Sequence, residues 1–294
     1  MSLHCRKRVS AALTALLPAL ALICLGNSAY ARDIRVCADP DNMPFSHRSG
    51  AGLENKLMEL IGRELGFNVK FVWKPQWRGF TRKTLRARLC DVIPGMPVDS
   101  ERARTTRPYY TSTYAFVTPK SRSAIRSFND LRRGMRIGVQ LIGDDGVNSP
   151  PVEELASRGY TSELKGYMAW GKTYGEGAPL EQIVTAVSKG HVDVAIVWGP
   201  VAGYFSTRQA APLQVEPVSE REKTIVPMTF AIGMGVRRGD QELAQRLDRA
   251  IAENGKEIDA LVKSYGISQA AKTVRSKVKA DRSRAHDLSV QHHP

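Results

Sequence analysis

The sequence has few cysteines and lacks two common catalytic motifs. Of the four cysteines in 294 residues, Cys5 and Cys24 fall in an N-terminal apolar leader, which leaves Cys37 and Cys90. No Cys-x-x-Cys occurs, and no histidine lies at ligand spacing from this pair, which argues against a redox or metal role for it. G-x-S-x-G and H-E-x-x-H are also missing, so the hydrolases and zinc proteases marked by those motifs receive no support.

The only long apolar run lies near the N-terminus. Residues 11–25 follow the cluster Arg6-Lys7-Arg8, precede the small residues around Ala31, and include Pro18. This order is typical of a secretory leader, and the run is too short for a membrane span. We predict that residues 1–31 are a signal peptide and that the mature chain is periplasmic, with no membrane span.

Positive charge predominates, with a formal net charge of +14. Such a charge favours an acidic partner, an anionic membrane surface or nucleic acid. The cations are scattered and no nucleic-acid module is visible, so we expect no nucleic acid as partner. An acidic protein partner is the more specific interpretation, and simple solubility is the alternative. We predict a disordered basic tail over residues 268–294.

Apolar periodicity alternates between strand and helix along the chain. Strands are predicted at residues 34–38, 69–73, 91–94, 136–140, 192–198 and 213–217, with helices at 50–66, 80–89, 150–158, 179–189, from 200 and at 240–265. Apolar extended runs at 114–118 and 228–236 read as crossovers. This order predicts an α/β fold of two lobes, joined by two crossovers around a central cleft. The lobe boundaries follow: 32–118 and 228–267 for lobe 1, and 119–227 for lobe 2.

The two remaining cysteines lie on strands that this fold makes neighbours. If residues 34–38 lie between the other two strands of lobe 1, Cys37 and Cys90 come within bridging range. The predicted oxidising compartment also favours pairing. We therefore predict one disulfide.

Residues 90–114 organise the interpretation of function. A short strand breaks at Pro94-Gly95 and again at Pro97, and Asp99 with Ser100 then reads as the start of a helix. In open α/β sheets, ligands bind at such strand ends. The order resembles the amino-acid-binding branch of ABC-importer solute-binding proteins, which have the type II periplasmic-binding fold.

That resemblance implies a ligand-binding site, but the sequence differs from the branch at two positions of the site. Arg102 falls on the position that clamps the ligand carboxylate; the alternative is a solvated Glu101-Arg102 pair. Pro97 replaces a hydroxyl residue and Trp198 stands where an Asp holds the ligand ammonium. Because an indole N–H cannot accept a hydrogen bond from an ammonium group, the amine anchor is missing there.

Several motifs resemble a narrower family, the J-type accessory proteins of quinoprotein methanol dehydrogenases, XoxJ and MoxJ. They are CADPDNMPFS from Cys37, WRGF from Trp77, GDDG followed by Pro-Pro, and WGPVAGYF from Trp198. The resemblance spans roughly residues 34–266. It implies a periplasmic binding-protein fold that helps a PQQ-dependent methanol dehydrogenase, of the lanthanide-dependent XoxF type, to mature or become active. It implies no catalysis, no cofactor in this chain, and a monomer; the choice between XoxJ and MoxJ stays open.

The loops expected to face the cleft supply the candidate site. Its aromatic residues would line a groove that takes a peptide segment or helix of the partner; alternatively, they are core or lobe-interface residues. The candidate cleft and partner-binding residues are Asp39, Phe45, Trp77, Arg78, Met96, Arg102, Gln140, Asp144, Trp170 and Trp198.

Two other functions compete with the accessory role. The first is an ABC-importer receptor for a small polar or anionic ligand, which would need a satisfied polar pocket. The second is an enzyme, which would need a cleft carboxylate or histidine with a raised pKa. Glu101 and Glu176 are the cleft-adjacent candidates, whereas His47 and His191 read as surface residues. A hard-cation site on Asp39, Asp41, Asp144 and Asp145 is a further hypothesis, without a recognised metal-loop spacing.

Overall fold

The computed structural model describes residues 32–142, 148–168 and 178–267. The signal peptide, the basic tail, Asp144 and Trp170 therefore lie outside the described residues, and those predictions stay predictions. The strands are β1 (Arg32–Ala38), β2 (Asp41–Asn42), β3 (Ser46–His47), β4 (Phe67–Trp73), β5 (Val92–Pro97), β6 (Arg104–Thr105), β7 (Tyr110–Pro119), β8 (Ile137–Leu141), β9 (Leu164–Met168), β10 (Val194–Trp198), β11 (Leu213–Pro217) and β12 (Thr229–Val236). The helices are α1 (Leu53–Leu65), α2 (Pro150–Ser157), α3 (Glu181–Ser188), α4 (Gly199–Ser206), α5 (Gln241–Glu253) and α6 (Gly255–Ser264).

Ten strands form one mixed sheet in which two long strands join two parallel halves. The order is β4-β1-β5-β12-β7-β10-β8-β9, with β6 beside β12 and β11 beside β7. Strands β4, β1 and β5 form the first half, and β10, β8 and β9 form the second; neighbours within each half are parallel. Strands β7 and β12 are the two predicted crossovers, and they pair with each other in antiparallel fashion.

Each half has its own apolar core. In the first half, α1, α5 and α6 cover the sheet through residues such as Leu57, Leu247 and Ile258, all at most 1% exposed. In the second half, alternate residues of the strands point to opposite faces. Phe116 and Ile196 enter one cluster, and Val117 and Val197 enter the other.

Sequence patterns mark most helix ends correctly. Leu53, Leu57, Leu60 and Ile61 of α1 recur at helical spacing and are buried. Gly66 ends that helix in a left-handed conformation with φ 65°, which glycine adopts without steric cost. The predicted 26-residue helix at 240–265 is interrupted, because Asn254 separates α5 from α6.

Of two predicted helices beside the cleft, one is shorter than expected and the other is wrong. Within the predicted helix 80–89, residues 80–86 are helical and include a π-helical turn, Arg82–Arg86. The helix expected from Asp99 is a reversing loop: Asp99 has φ 68°, and the strand that leads into it continues through Pro97. Strand β12 pairs with both arms of the loop, β5 and β6. A four-residue helix contributes too little to compete with that pairing.

The predicted disulfide is present. Cys37 in β1 and Cys90 immediately before β5 are joined, with a Cα–Cα distance of 5.5 Å. Strand β1 lies between β4 and β5, as the sequence predicted. The bridge closes the loop that contains α1 and the π-helical turn.

The same arginine–aspartate pair occurs once in each half. The backbone N–H and Nε of Arg35 donate to Oδ2 of Asp91 at 3.0 and 3.1 Å, and Nη2 donates to Oδ1 at 2.8 Å. Arg136 makes the corresponding bonds to Asp193 at 2.9, 3.1 and 2.9 Å. Arg35 lies within β1 and Arg136 immediately before β8, and each bonds an aspartate that immediately precedes the parallel neighbouring strand, β5 or β10.

Removal of the disulfide tests its contribution to stability. We expect Cys37→Ala/Cys90→Ala to lower the free energy of unfolding by about 2–4 kcal/mol, because the bridge restricts the unfolded chain. Guanidinium titration monitored by circular dichroism measures the difference. Reductant should lower the midpoint of the wild type and leave that of the double variant unchanged; equal midpoints for both proteins under oxidising conditions would refute the expectation.

The arginine–aspartate pairs predict acid sensitivity. Burial alone would raise the pKa of Asp91, but hydrogen bonds from Arg35 and Arg237 outweigh it and hold that pKa at about 2. Because the folded pKa lies below the unfolded value of 3.8, the stabilisation is present above about pH 4 and is lost as the pH falls towards 2. We expect Asp91→Asn to cost about 1–3 kcal/mol at pH 7.

Measurements at acidic pH and a control variant complete the test of the Arg35–Asp91 pair. The stability difference between wild type and Asp91→Asn should shrink steadily from pH 5 to about pH 2 in chemical denaturation. Asp33→Asn is the control, because Asp33 is exposed and, among the described residues, its carboxylate accepts a hydrogen bond from the Asn68 amide and from no arginine. A difference that does not change with pH would count against the pair as its cause.

Candidate functional site

The candidate site lies where the carboxyl end of β10 meets the crossover strand β7, near Gly95 of β5. Strand β10 pairs with β7 so that Trp198 lies opposite Tyr114. The N-terminal turn of α1 approaches the same region from the first half, with Glu54 beside Gly95 of β5. We call this region the cleft floor, defined by Glu54, Gly95, Tyr109, Tyr110 and Trp198.

Trp198 lies at the carboxyl end of β10, on the cleft floor. Its ring makes edge contacts with Tyr114 at 5.2 Å and Phe230 at 6.0 Å between centroids. The half-buried side chain packs against the core of the first half and both cores of the second. The indole N–H faces Tyr110 and opposes the rise in the pKa of that hydroxyl caused by burial. Its only donor is thus directed at the protein.

The residue after Trp198 fixes how closely α4 approaches the crossover. A Cβ on Gly199 would lie 2.5 Å from the carbonyl oxygen of Thr113 and 2.6 Å from Oγ of Ser112. Only glycine permits this approach. Pro200 follows at the start of α4 and has no N–H. The start of α4 is therefore packed against β7 and offers one donor fewer to an anion.

Glu54 is the one strongly perturbed acid of the cleft floor. It is 8% exposed, and its carboxyl group accepts no hydrogen bond from the residues that the structure describes. Burial raises its pKa to about 8. A Cβ on Gly95 would overlap Oε1 of Glu54, so the glycine makes room for the carboxyl group.

Two tyrosines complete the cleft floor. The N–H of Gly95 donates to the hydroxyl of Tyr109 at 2.9 Å. Burial, followed by the Glu54 charge, raises the pKa of both Tyr109 and Tyr110. At neutral pH, Glu54 and both hydroxyls are mainly protonated. The cleft floor is then aromatic and carries no charge to bind an ammonium group.

Asp39 and Phe45 belong to the loop that follows β1. The Asp39 carboxylate accepts hydrogen bonds from the backbone N–H groups of Asp41 at 2.9 Å and Gln76 at 2.6 Å. Phe45 packs against the core formed by α3 and α4 in the second half. In residues 32–142, 148–168 and 178–267 there is no group of three or more His, Cys, Asp or Glu side chains that could hold a metal.

The remaining predicted residues are spread around the cleft rather than collected in it. Trp77 and Arg78 are exposed, with 52% of Trp77 accessible. Met96 is 7% exposed in the core around the disulfide, under Gly235 of β12. Arg102 is exposed on the reversing loop. The carbonyl of Gln140 accepts a hydrogen bond from the buried Ser149 hydroxyl at 2.5 Å.

Sequence reasoning missed Glu54 as a buried acid. An acidic residue in the first turn of a helix is ordinarily solvated and favours the helix dipole. The sequence marks no difference here, because the burial of Glu54 comes from β5 and β7, which lie far along the chain. The signal that the sequence offers lies 41 positions away at Gly95, a glycine inside a strand, which often marks a close approach of another group.

One further spacing match begins with a glycine whose surroundings differ from those expected of the motif. Residues 166–173 fit G-x-x-x-x-G-K-[ST], the phosphate-binding loop. In that loop the first glycine belongs to the turn after a strand, whereas Gly166 lies inside β9, paired with Val139. A Cβ on Gly166 would overlap the side chain of Leu141, so packing accounts for this glycine. Residues 169–177 lie outside the described ranges.

The raised pKa of Glu54 predicts a stability that falls with pH. Below about pH 4.5 the group is protonated in both states; between 4.5 and about 8 only the unfolded chain ionises, which favours unfolding. We expect Glu54→Gln to raise the free energy of unfolding at pH 7 by about 1–2 kcal/mol, and to have no stabilising effect at pH 4. Urea denaturation across this range measures it.

A second glutamate of the same helix is the control. Glu64 is exposed on α1, so Glu64→Gln should change the stability by less than about 0.5 kcal/mol at every pH. Equal pH profiles for Glu54→Gln and wild type would show that Glu54 is ionised in the folded protein.

Comparison with known proteins gives the family. Residues 34–268 match the model for bacterial extracellular solute-binding proteins, family 3. MoxJ of Methylorubrum extorquens is 28% identical over 291 residues, covering 89% of this chain and 96% of that protein. The match thus extends over nearly the whole length of both proteins.

Two solved structures share the fold. MxaJ from Methlophaga aminisulfidivorans superposes with a TM-score of 0.68 at 25% identity, over 81% of this chain and all of that one. The periplasmic binding protein XoxJ from Methylobacterium extorquens gives 0.66 at 28%, again over 81% and 100%. The fold is the type II periplasmic-binding fold that the sequence predicted. With its two parallel half-sheets joined by β7 and β12, the chain belongs to family 3 of the bacterial extracellular solute-binding proteins and is homologous to MoxJ.

Proposed function

We propose that this chain is a non-catalytic periplasmic accessory protein of methanol oxidation. In this role it binds a PQQ-dependent methanol dehydrogenase of the lanthanide-dependent type through its cleft and helps that enzyme mature or become active. Homology to MoxJ and the likeness to MxaJ and XoxJ support this placement. The extracellular solute-binding family and the periplasmic XoxJ support the compartment.

The observation that carries the proposal is the indole of Trp198 on the cleft floor. A receptor for an amino acid needs an ionised acid to hold the ammonium group, since a buried unpaired charge is costly. Trp198 offers one N–H donor, which faces Tyr110, and no acceptor. An apolar, aromatic floor suits apolar side chains of a protein segment better than it suits a zwitterion.

Glu54 is the residue of the cleft floor that could act as a catalytic acid if the protein were an enzyme. Its raised pKa is the property expected of a catalytic acid, but burial alone causes it. With 8% of its surface accessible, the carboxyl group has little access to a substrate, and among the described residues it has no hydrogen-bonded nucleophile or base. These features support a structural rather than a catalytic role for Glu54.

The test is direct binding to the dehydrogenase. We expect the mature full-length chain to bind the apo form of the methanol dehydrogenase from the same organism in calorimetry, with a dissociation constant in the micromolar range or below. We also expect the reconstituted enzyme to gain activity when this chain is present during loading. Absence of both effects would refute the proposal.

Arg102 separates an accessory protein from an importer receptor. A receptor that clamps a ligand carboxylate with Arg102 should show a dose-dependent rise in melting temperature with amino acids or small organic acids. Arg102→Ala should abolish that rise. For an accessory protein we expect no such rise in either the wild type or Arg102→Ala. A rise that depends on Arg102 would favour the receptor.

A further inference from the structure

Residues 74–89 form a surface on the first half whose charged side chains are all positive. The segment contains six lysines and arginines and no aspartate or glutamate. All six cationic residues are exposed. We call this surface the Trp77 basic surface; its residues used below are Lys74, Trp77, Arg82, Lys83, Arg86 and Arg88.

Five of these six cations differ from others in the molecule in having no carboxylate partner among the residues that the structure describes. Among the described residues, no ion pair involves Lys74, Arg82, Lys83, Arg86 or Arg88. By contrast, Arg35, Arg136 and Arg158 are each held by an acid at 2.5–2.9 Å. Uncompensated charge on one exposed segment creates a local field that attracts an anionic surface.

The surface is ordered before any partner arrives. Its backbone is held by bonds from Phe80 N–H to the Trp77 carbonyl at 2.9 Å and from Lys83 N–H to the Gly79 carbonyl at 2.9 Å. Thr84 Oγ1 donates to the carbonyl of Phe80 at 2.6 Å. Leu85 is buried in the core around the disulfide. Such preorganisation lowers the entropy that binding would otherwise cost.

The basic surface also contains two exposed large apolar side chains. Trp77 is 52% exposed and Leu89 is 41% exposed. Tryptophan and arginine are the residues most enriched among those that dominate protein interfaces. The fork of an arginine side chain also matches a carboxylate with two hydrogen bonds.

We propose that the Trp77 basic surface is a docking site for a carboxylate-rich protein surface. This rests on the function proposed above, which makes the dehydrogenase the protein that carries those carboxylates. Two apolar side chains on a rigid turn are too few for insertion into a membrane interface, which takes a whole apolar helix face. The five-residue π-helical turn is too short to read a nucleic-acid groove. Both features favour a protein partner.

The test compares two triple charge reversals. Arg82→Glu/Lys83→Glu/Arg86→Glu inverts the proposed site. Arg132→Glu/Lys165→Glu/Lys189→Glu makes the same change of net charge with exposed residues elsewhere. We expect the first variant to bind the dehydrogenase at least tenfold more weakly than wild type at low salt, and the second to stay within about twofold. Raising the salt from about 50 to 200 mM should weaken wild type more than the first variant.

Apolar variants test the role of Trp77 in the same assay. Trp77→Ala should weaken binding at least tenfold with little change in salt dependence. Ile225→Ala, which removes a side chain that is 65% exposed, should leave binding unchanged. Melting temperatures close to wild type show that each variant is folded.

The outcomes separate this inference from the proposed function. If wild type and both triple variants bind the dehydrogenase equally, the docking site is refuted and the accessory function stands. If wild type does not bind the dehydrogenase at all, both are refuted. Vesicles of phosphatidylethanolamine with phosphatidylglycerol form a separate arm: binding to them that is lost with Arg82→Glu/Lys83→Glu/Arg86→Glu, while dehydrogenase binding persists, would assign the surface to the membrane instead.

Discussion

The antiparallel pairing of β7 with β12 is the interaction on which the remaining structure depends. It runs from Tyr110 opposite Ile232 to Thr113 opposite Thr229. Beyond that segment, β7 continues along β10 and β11, and β12 continues along β5 and β6. The two halves therefore share one sheet instead of meeting only through linkers. On the cleft floor, Tyr110 lies in β7 and Trp198 lies opposite Tyr114 of β7, so the positions of both are set by a strand that joins the halves.

This shared sheet explains why the floor is neutral. Gly199 places the start of α4 in contact with β7, and the ring of the neighbouring Trp198 packs against the core of the first half and both cores of the second. The acid that remains, Glu54, is desolvated by β5 and β7, and its pKa of about 8 leaves it mainly protonated at pH 7. A zwitterion would have to ionise Glu54 before gaining an ammonium partner, at about 1.4 kcal/mol for each pH unit below that pKa.

The sequence predicted what depends on local pattern and on neighbouring strands. Alternation of strands and helices, the stop at Gly66, the two crossovers and the Cys37–Cys90 bridge all follow from spacing that is visible in the chain. The errors occur where the local structure is determined by a strand that is distant in the sequence. Strand β12 draws residues 99–104 into a loop and β6, although their composition favours a helix. Glu54 was missed for the same reason, since the segments that bury it lie about 40 to 55 positions further along.

For the charged residues too, the arrangement in the fold decides the effect. The distribution of the cations over the surface indicates a contact site better than the net charge does. Arg35 and Arg136 add to the formal charge of +14, yet each is bound to an aspartate and joins two strands. Bound in this way, Arg35 contributes little field outside the protein, because Asp91 offsets its charge and Asp240 offsets that of Arg237, whereas Asp193 is shared by Arg136 and Arg122 and offsets only one of those two charges. A partner meets the cations that have no such neighbour. The net charge alone therefore could not indicate a contact surface. Residues 74–89 indicate one, because this segment contains no acidic residue and is held rigid beside a disulfide.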